Sequence, residues 1–245
     1  MGEERGRRET RHLIRLHFLV EGQTEEAFVN LVLAPALGTV GVYADACRIT
    51  TGRHRGRVFR GGFVRYAHLA ADLILRMKQD PTEESWFTTM VDFYRLPTDF
   101  PGLATLDRGS DAAGRIAALQ AAFTADIARQ LNHTPVSRRF IPYIQQHEFE
   151  ALLFSDPEAF AAVFPDRGDV GAIRAIRAGV TSPEEIDDGP DTAPSRRILA
   201  CFDDYQKPVH GVLITNHIGL DVICRECPGF RAWIARLRSL SAGGG

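Results

Sequence analysis

Residues Leu13 to Val20 alternate and then become continuously apolar through Phe18-Leu19-Val20, and the run stops at Glu21-Gly22. Such a run suits a β-strand buried on both faces, the kind found in parallel sheets under helical layers. The next residues, Gln23-Thr24-Glu25-Glu26-Ala27-Phe28, begin a helical pattern with Phe28, Leu31 and Val32 on one face. Gly22 offers a turn with positive φ, Thr24 a cap, and Glu25 and Glu26 suit the positive end of a helix that Gly38 would close. A buried strand turning directly into a helix constrains the chain to a layered α/β fold. In open sheets of that type, ligands sit beyond the carboxyl ends of the strands. Glu21 stands at such an end.

The pattern repeats. Ala46 to Thr51 reads as a short strand, Val64 to Gln79 as a helix and Trp86 to Val91 as a strand ending at Asp92. Pro97, Pro101 and Gly102 then make a structured loop. Asp111 to Leu131 is a long Ala-rich helix, Phe140 to Gln145 a further strand, and Glu148 to Phe154 the helix after it. The alternation predicts a parallel sheet flanked by helices over residues 13–155. Residues 156–245 read as a mainly helical extension packed on that core, with helices at Pro157–Phe164, Val170–Ala178, Pro194–Tyr205 and Phe230–Leu240. Val209 to Thr215 is the one stretch there with strand character. Residues 1–12, polar and charged without an apolar core, read as a disordered lead-in rather than a signal peptide.

Charge is close to balanced, at −2, so no overall basic footprint marks the chain for nucleic acid. The one dense basic stretch carries Arg53, Arg55, Arg57 and Arg60 among glycines. It reads as a mobile loop whose guanidiniums could fork around phosphate oxygens. Four cysteines at uneven spacing do not make a disulfide framework, and a reducing, cytoplasmic setting is the simpler reading. Cys224-x-x-Cys227 has the spacing of half a zinc site, without two regularly placed further ligands, and reads as core packing. No apolar run reaches the roughly 20 residues of a membrane span. No glycine-rich phosphate loop ending in Lys-Ser/Thr is present, so the chain is not expected to hydrolyse ATP by itself.

Three strand ends carry acids: Glu21, Asp92, and Glu148 with Glu150. Neighbouring parallel strands lie about 4.8 Å apart, so these carboxylates are expected to crowd together. Crowded carboxylates repel, and a hard divalent cation relieves the repulsion. The expected metal ligands are Glu21, Asp92 and Glu148, with Glu25 and Glu150 supporting them or positioning water. The expected ion is Mg²⁺, with Mn²⁺ as the alternative. Each acid alone reads more readily as a helix cap or a solvated loop residue; it is the joint pattern on three strand ends that points to a site.

Leu19-Val20-Glu21-Gly22-Gln23-Thr24-Glu25 resembles the strand–Glu–Gly–x–Thr–Glu opening of Toprim-like nuclease domains, including those of OLD-type nucleases. With Asp92-Phe93-Tyr94-Arg95-Leu96-Pro97, Asp99-Phe100-Pro101-Gly102, Pro142 to Leu152 and Asp188 to Arg197, the chain resembles the bacterial DUF4276 family over most of Leu13 to Leu240. The resemblance implies a Toprim-like fold and a first-strand glutamate at Glu21. It also implies an Asp-x-Asp beginning at Asp92, with Mg²⁺ among these acids. The sequence departs at the second Asp, where Tyr94 stands. A phenol, with a pKa of about 10, is a poor Mg²⁺ ligand near neutrality, and Asp99 is the candidate replacement.

In function, the resemblance implies a Mg²⁺-dependent nuclease of DNA or RNA in bacterial anti-phage defence, working with an AAA or ABC-type ATPase partner. Homo-oligomerisation is left open by the residues. The contrasting expectation is a non-catalytic module binding a partner protein or nucleic acid, which Tyr94 favours. A small-molecule phosphohydrolase on the same acids is a third.

Overall fold

The computed structural model describes residues 13–54, 57–60, 65–107, 109–186, 189 and 192–242, and over 51–54 and 57–60 it describes the backbone path. The first strand, β1 (Ile14–Val20), continues into helix α1 (Gln23–Phe28), a π-helical segment over Val29–Leu33 and helix α2 (Ala34–Gly38). Gly22 is extended here (φ −141°), so its need is space rather than positive φ: a Cβ would stand 3.0 Å from Glu25 Oε2. Gly22 also takes the cap position expected for Thr24, which is buried.

Strand β2 (Val42–Arg48) follows, then an antiparallel hairpin of β3 (Thr50–His54) and β4 (Arg57–Arg60), helix α3 (Tyr66–Gln79) and strand β5 (Ser85–Asp92). The arginine stretch expected as a loop is therefore largely a hairpin. Helix α4 (Ala112–Gln130) is capped by Asp111, which accepts from the Gly114 amide at 2.7 Å. The strand expected over Phe140–Gln145 is broken at Pro142-Tyr143 into β6 (Phe140–Ile141) and β7 (Ile144–Gln145), as proline interrupts a ladder. Phe149–Ser155 is 3-10 rather than α-helix.

The main sheet runs β2-β1-β5-β6, with β7 also pairing β5, and each of these pairs is parallel. Leu16, Phe18 and Val20 point to one face and Leu19 to the other, so β1 is buried on both sides, as its apolar run requires. The Leu19 face is covered by α3 and α4 through Leu69, Leu73, Met77, Leu119, Phe123 and Ile127.

The Phe18 face is covered by α1 and α2 together with the later helices. These are α5 (Glu158–Val163), α6 (Val170–Ala178), α7 (Pro194–Cys201), α8 (Lys207–Ile218), α9 (Leu220–Glu226) and α10 (Pro228–Arg238). On α10, Trp233 stacks on Tyr143 with ring centroids 4.0 Å apart and donates to Thr88 Oγ1 at 3.0 Å, tying the last helix to the sheet. Val209–Thr215, which has strand character in sequence, lies inside α8. Pro208 sits in the first turn of α8, where its missing N–H costs nothing. Among the described residues no helix is long and apolar enough to cross a membrane.

Midway along β1, His17 lies between two acids. Its Nδ1 is 2.9 Å from Asp45 Oδ1 and its Nε2 3.2 Å from Asp80 Oδ2, while Arg15 binds Asp80 at 2.9 and 3.0 Å. The hydrogen bond to Asp45, with Asp80 adding to it, raises the His17 pKa above its usual value. The ion pair therefore stabilises the fold fully below the unfolded histidine pKa, and the contribution is lost as pH rises through the raised folded value. His17→Asn is expected to cost about 1 kcal/mol at pH 6 and almost nothing at pH 9. Paired urea titrations at the two pH values check this; an equal cost at both would refute it.

Candidate active site at the carboxyl end of the sheet

The parallel register sets Val20 beside Met90, and the Glu21 amide donates to Met90 O at 3.3 Å. Glu21 and Asp92 therefore leave adjacent strands at the same end of the sheet. The Asp92 amide donates to Glu21 Oε2 at 3.5 Å. Glu21 is 6% exposed and Asp92 2%, so neither charge is left to water. Pairing of Asp92 with Gln145 brings the chain after β7 to the same place. There His147 adopts a left-handed conformation (φ 64°), unusual for a residue with a Cβ, and turns the chain. Two bonds fasten this turn to the end of β5: Tyr94 N to His147 O at 3.3 Å, and Phe149 N to Asp92 Oδ1 at 3.0 Å.

Glu150 is fully buried, and Glu148 nearly so. Their carboxylates take different partners. Glu148 Oε2 accepts from the Ser195 amide at the start of α7, at 3.0 Å. Glu150 Oε2 lies 2.7 Å from Lys207 Nζ, and the Tyr205 hydroxyl donates to Glu150 Oε1 at 3.5 Å. Lys207 Nζ is also 3.7 Å from Asp92 Oδ2. Arg95 Nε approaches Glu21 Oε1 at 3.9 Å from the solvent side.

Five expected site residues are thus brought to one end of the sheet. Glu21, Glu25, Asp92 and Glu150 act electrostatically on one another or on Lys207, and Glu148 on Glu150. The backbone of β3 and β4, with Arg53, Arg57 and Arg60, leaves from the same edge, because Ile49 N bonds to Val20 O and Thr50 N to Asp72 Oδ2. Arg55 lies outside the described residues, as do Asp188 and Asp191 of the Asp188–Arg197 motif. Asp99 does not replace the missing second Asp. It caps α3, its Oδ1 accepting from Tyr66 N at 3.0 Å.

The electrostatics follow from burial. Desolvation, reinforced by Glu25, pushes the Glu21 pKa up to about 7, although Arg95, the Asp92 amide and Lys207 pull it back. Asp92 is raised well above the carboxylate range by burial, with Glu25, Glu21 and Glu150 adding to it and Lys207 opposing. Burial raises Glu150 too, against Lys207. For Lys207, burial works against the charge, but Asp92, Glu150 and Glu25 outweigh it and hold the ammonium above the usual lysine range. Lys207 is accordingly a permanent cation here, a donor and never a base.

Lys207 and Tyr205 are the site residues that sequence reasoning missed. The available signal was scarcity, since Lys207 is one of two lysines in an arginine-rich chain. It also opens a helix, where positive charge is unfavourable unless something else holds it.

Among the described residues no group of three or more His, Cys, Asp or Glu stands where it could hold a metal ion; the acids surround an ammonium instead. The donor chemistry nevertheless suits a hard divalent cation, because the acidic side chains of the cluster offer only carboxyl oxygens. Cys224 and Cys227 are buried free thiols, with Cys227 Sγ 3.4 Å from Ser155 Oγ, consistent with packing.

A search of curated proteins finds no match. Among solved structures, the chain is similar to the C-terminal region of the OLD protein of Xanthomonas campestris pv. campestris. The identity is 16% and the TM-score 0.42, with 94% of this chain and 97% of that one covered. The family model for DUF4276, a domain of unknown function, matches residues 20–238, nearly the whole described chain. With Glu21, Asp92 at the end of β5, and the segments that close over them lying inside that match, the chain belongs to the DUF4276 family.

Proposed function

We propose that the chain is a metal-dependent phosphodiesterase acting on nucleic acid, with Mg²⁺, or Mn²⁺ in its place, held by Glu21 and Asp92 and completed by Glu148. The observation that carries this reading is the gathering of buried carboxylates at the carboxyl ends of β1 and β5 around the ammonium of Lys207. Burying so many ionisable carboxyl groups together costs a fold stability, and their presence at the ligand-binding end of a parallel sheet is a functional signature.

A bound divalent ion supplies a Lewis acid and a polarised water. The chain's own residues do the rest. Glu25 and Glu150 flank the ligands and orient water by accepting hydrogen bonds. Lys207, fixed in its charged form, offers N–H donors to a phosphate oxygen, and Arg95 does so from the rim. The arginine hairpin of β3 and β4, which follows the carboxyl end of β2, would add phosphate contacts to a polyanion. A role in bacterial defence beside an ATPase partner rests on the motif resemblance alone.

The second reading is a nucleic-acid or protein-binding module without catalysis. Tyr94 in place of an acid, and Lys207 at the centre of the cluster, favour it. Incubating labelled DNA and RNA with Mg²⁺ or Mn²⁺ separates the two readings, comparing wild type with Glu21→Ala. Metal-dependent cutting that falls at least about a hundredfold in the variant is expected. Binding without cutting under every condition would leave the module.

A further inference from the structure

Of the exposed aromatic rings among the described residues, Tyr43 lies toward the amino end of β2, on the far side of the sheet from the acids. Tyr94 is different. It is 50% exposed and sits two residues after Asp92, so its Cα lies within about 7 Å of that of Asp92. It occupies the middle of a 3-10 turn, Phe93–Arg95, whose successive side chains point about 120° apart. Phe93 packs against the Leu19-face core and under Arg115, whose guanidinium carbon is 5.9 Å from the ring centre. Arg95 reaches toward Glu21 with 59% of its side chain still in solvent. The turn is fixed by the bond from Tyr94 N to His147 O. The turn thus carries a half-exposed aromatic ring and an exposed guanidinium on adjacent residues, directly after Asp92 and with the guanidinium reaching Glu21.

The half-exposed ring of Tyr94 does not fill the core, which Phe93 of the same turn packs against. A ring and a guanidinium so placed match what an unpaired nucleotide offers, a π-face and a phosphate. We infer that Tyr94 is a stacking platform for an unpaired base, with Arg95 holding an adjoining phosphate, so that the site takes single-stranded DNA or RNA in preference to a duplex. The inference rests on the phosphodiesterase reading and specifies its substrate. A duplex keeps its bases stacked on one another and presents no free π-face, so Tyr94 would add nothing to duplex binding.

The test is fluorescence anisotropy with oligo(dT), oligo(rU) and a blunt DNA duplex, without divalent metal so that nothing is cut, using wild type, Tyr94→Ala and Tyr94→Phe. Wild type is expected to bind the single strands more tightly than the duplex. Tyr94→Ala should weaken single-strand binding about tenfold and leave duplex binding unchanged, while Tyr94→Phe retains wild-type affinity. Unchanged single-strand affinity in Tyr94→Ala would overturn this inference alone, as would equal losses in Tyr94→Ala and Tyr94→Phe, which would assign the effect to the phenol oxygen. Absence of binding to every polymer by wild type would overturn it together with the proposed substrate class.

Discussion

Lys207→Met is expected to destabilise the protein by about 3–5 kcal/mol at pH 8, the cost of breaking a buried ion pair from one side. Methionine keeps most of the volume of the side chain, so the loss reports charge rather than packing. Asp92 and Glu150, at 3.7 and 2.7 Å from the ammonium, would be left buried without a counter-charge. Both are already raised by burial, and removal of the opposing Lys207 raises them further. In the variant the folded state therefore binds protons that the unfolded state, with carboxyl pKa values near 4, has released. Stability must then recover as pH falls, and most of the penalty should vanish by about pH 5. In the wild type Lys207 keeps its proton throughout this range, so any pH dependence there comes from the carboxyl groups and not from the lysine. Urea denaturation of both proteins between pH 5 and 8 measures the effect. Adding Glu150→Gln to Lys207→Met should restore much of the loss, since neighbouring charges couple. A penalty that does not change with pH would mean that Lys207 acts through packing alone.

The second large effect has the opposite sign. Glu21→Gln is expected to stabilise the metal-free protein by between about 1 and 3 kcal/mol above pH 7, while abolishing metal-dependent cutting. Glu21 has its pKa pushed up to about 7 by burial and by Glu25. Below the unfolded value, near 4.5, both states hold the proton and the residue costs nothing. Between 4.5 and 7 the folded state keeps a proton that the unfolded state has lost, so stability falls as pH rises. Above 7 the charged carboxylate is buried and the cost is complete. Glutamine keeps an oxygen that can accept from the Asp92 amide and removes the charge. Thermal melts of wild type and variant should coincide near pH 4.5 and separate by several degrees at pH 8, with the variant higher. Addition of Mg²⁺ should raise the wild-type melting temperature and leave that of Glu21→Gln unmoved. A wild type indifferent to Mg²⁺ would argue against a metal at Glu21. A variant less stable than wild type at pH 8 would show that the Arg95 contact outweighs desolvation.

These two residues divide the protein between what was legible locally and what was not. Glu21 is readable from sequence because a buried parallel strand is a continuous apolar run, and the acid that interrupts it marks the strand end. The same holds for Asp92 at the end of β5, whose run Ser85–Asp92 is buried almost throughout. The helices α3 and α4 were legible because one face of each must be apolar at helical spacing. Local pattern failed where tertiary contact chose the conformation. Val209–Thr215 favours a strand by composition, yet α8 packs there so closely that a Cβ on Gly211 would stand 3.2 Å from both Phe149 Cε1 and Tyr205 Oη. The arginine stretch looked like a loop because its glycines hide the pairing of β3 with β4. Glu148 and Glu150 could be placed near the site by their position after a strand. Which carboxylate faces Lys207 and which faces the Ser195 amide depends on the 3-10 turn and on segments far along the chain.

By itself the sequence determined the central strands β1 and β5, the acids at their carboxyl ends and the helices on the Leu19 face, since each follows from spacing along a few neighbouring residues; the strand expected at Ala46–Thr51 lies instead at Val42–Arg48. Only the tertiary structure decided what neutralises those acids. Lys207, Tyr205 and the Ser195 amide reach them from helices and turns that pack on the opposite face of the sheet. Burial of charge is a property of the assembled layers, and no local pattern records which distant cation will be enclosed with it.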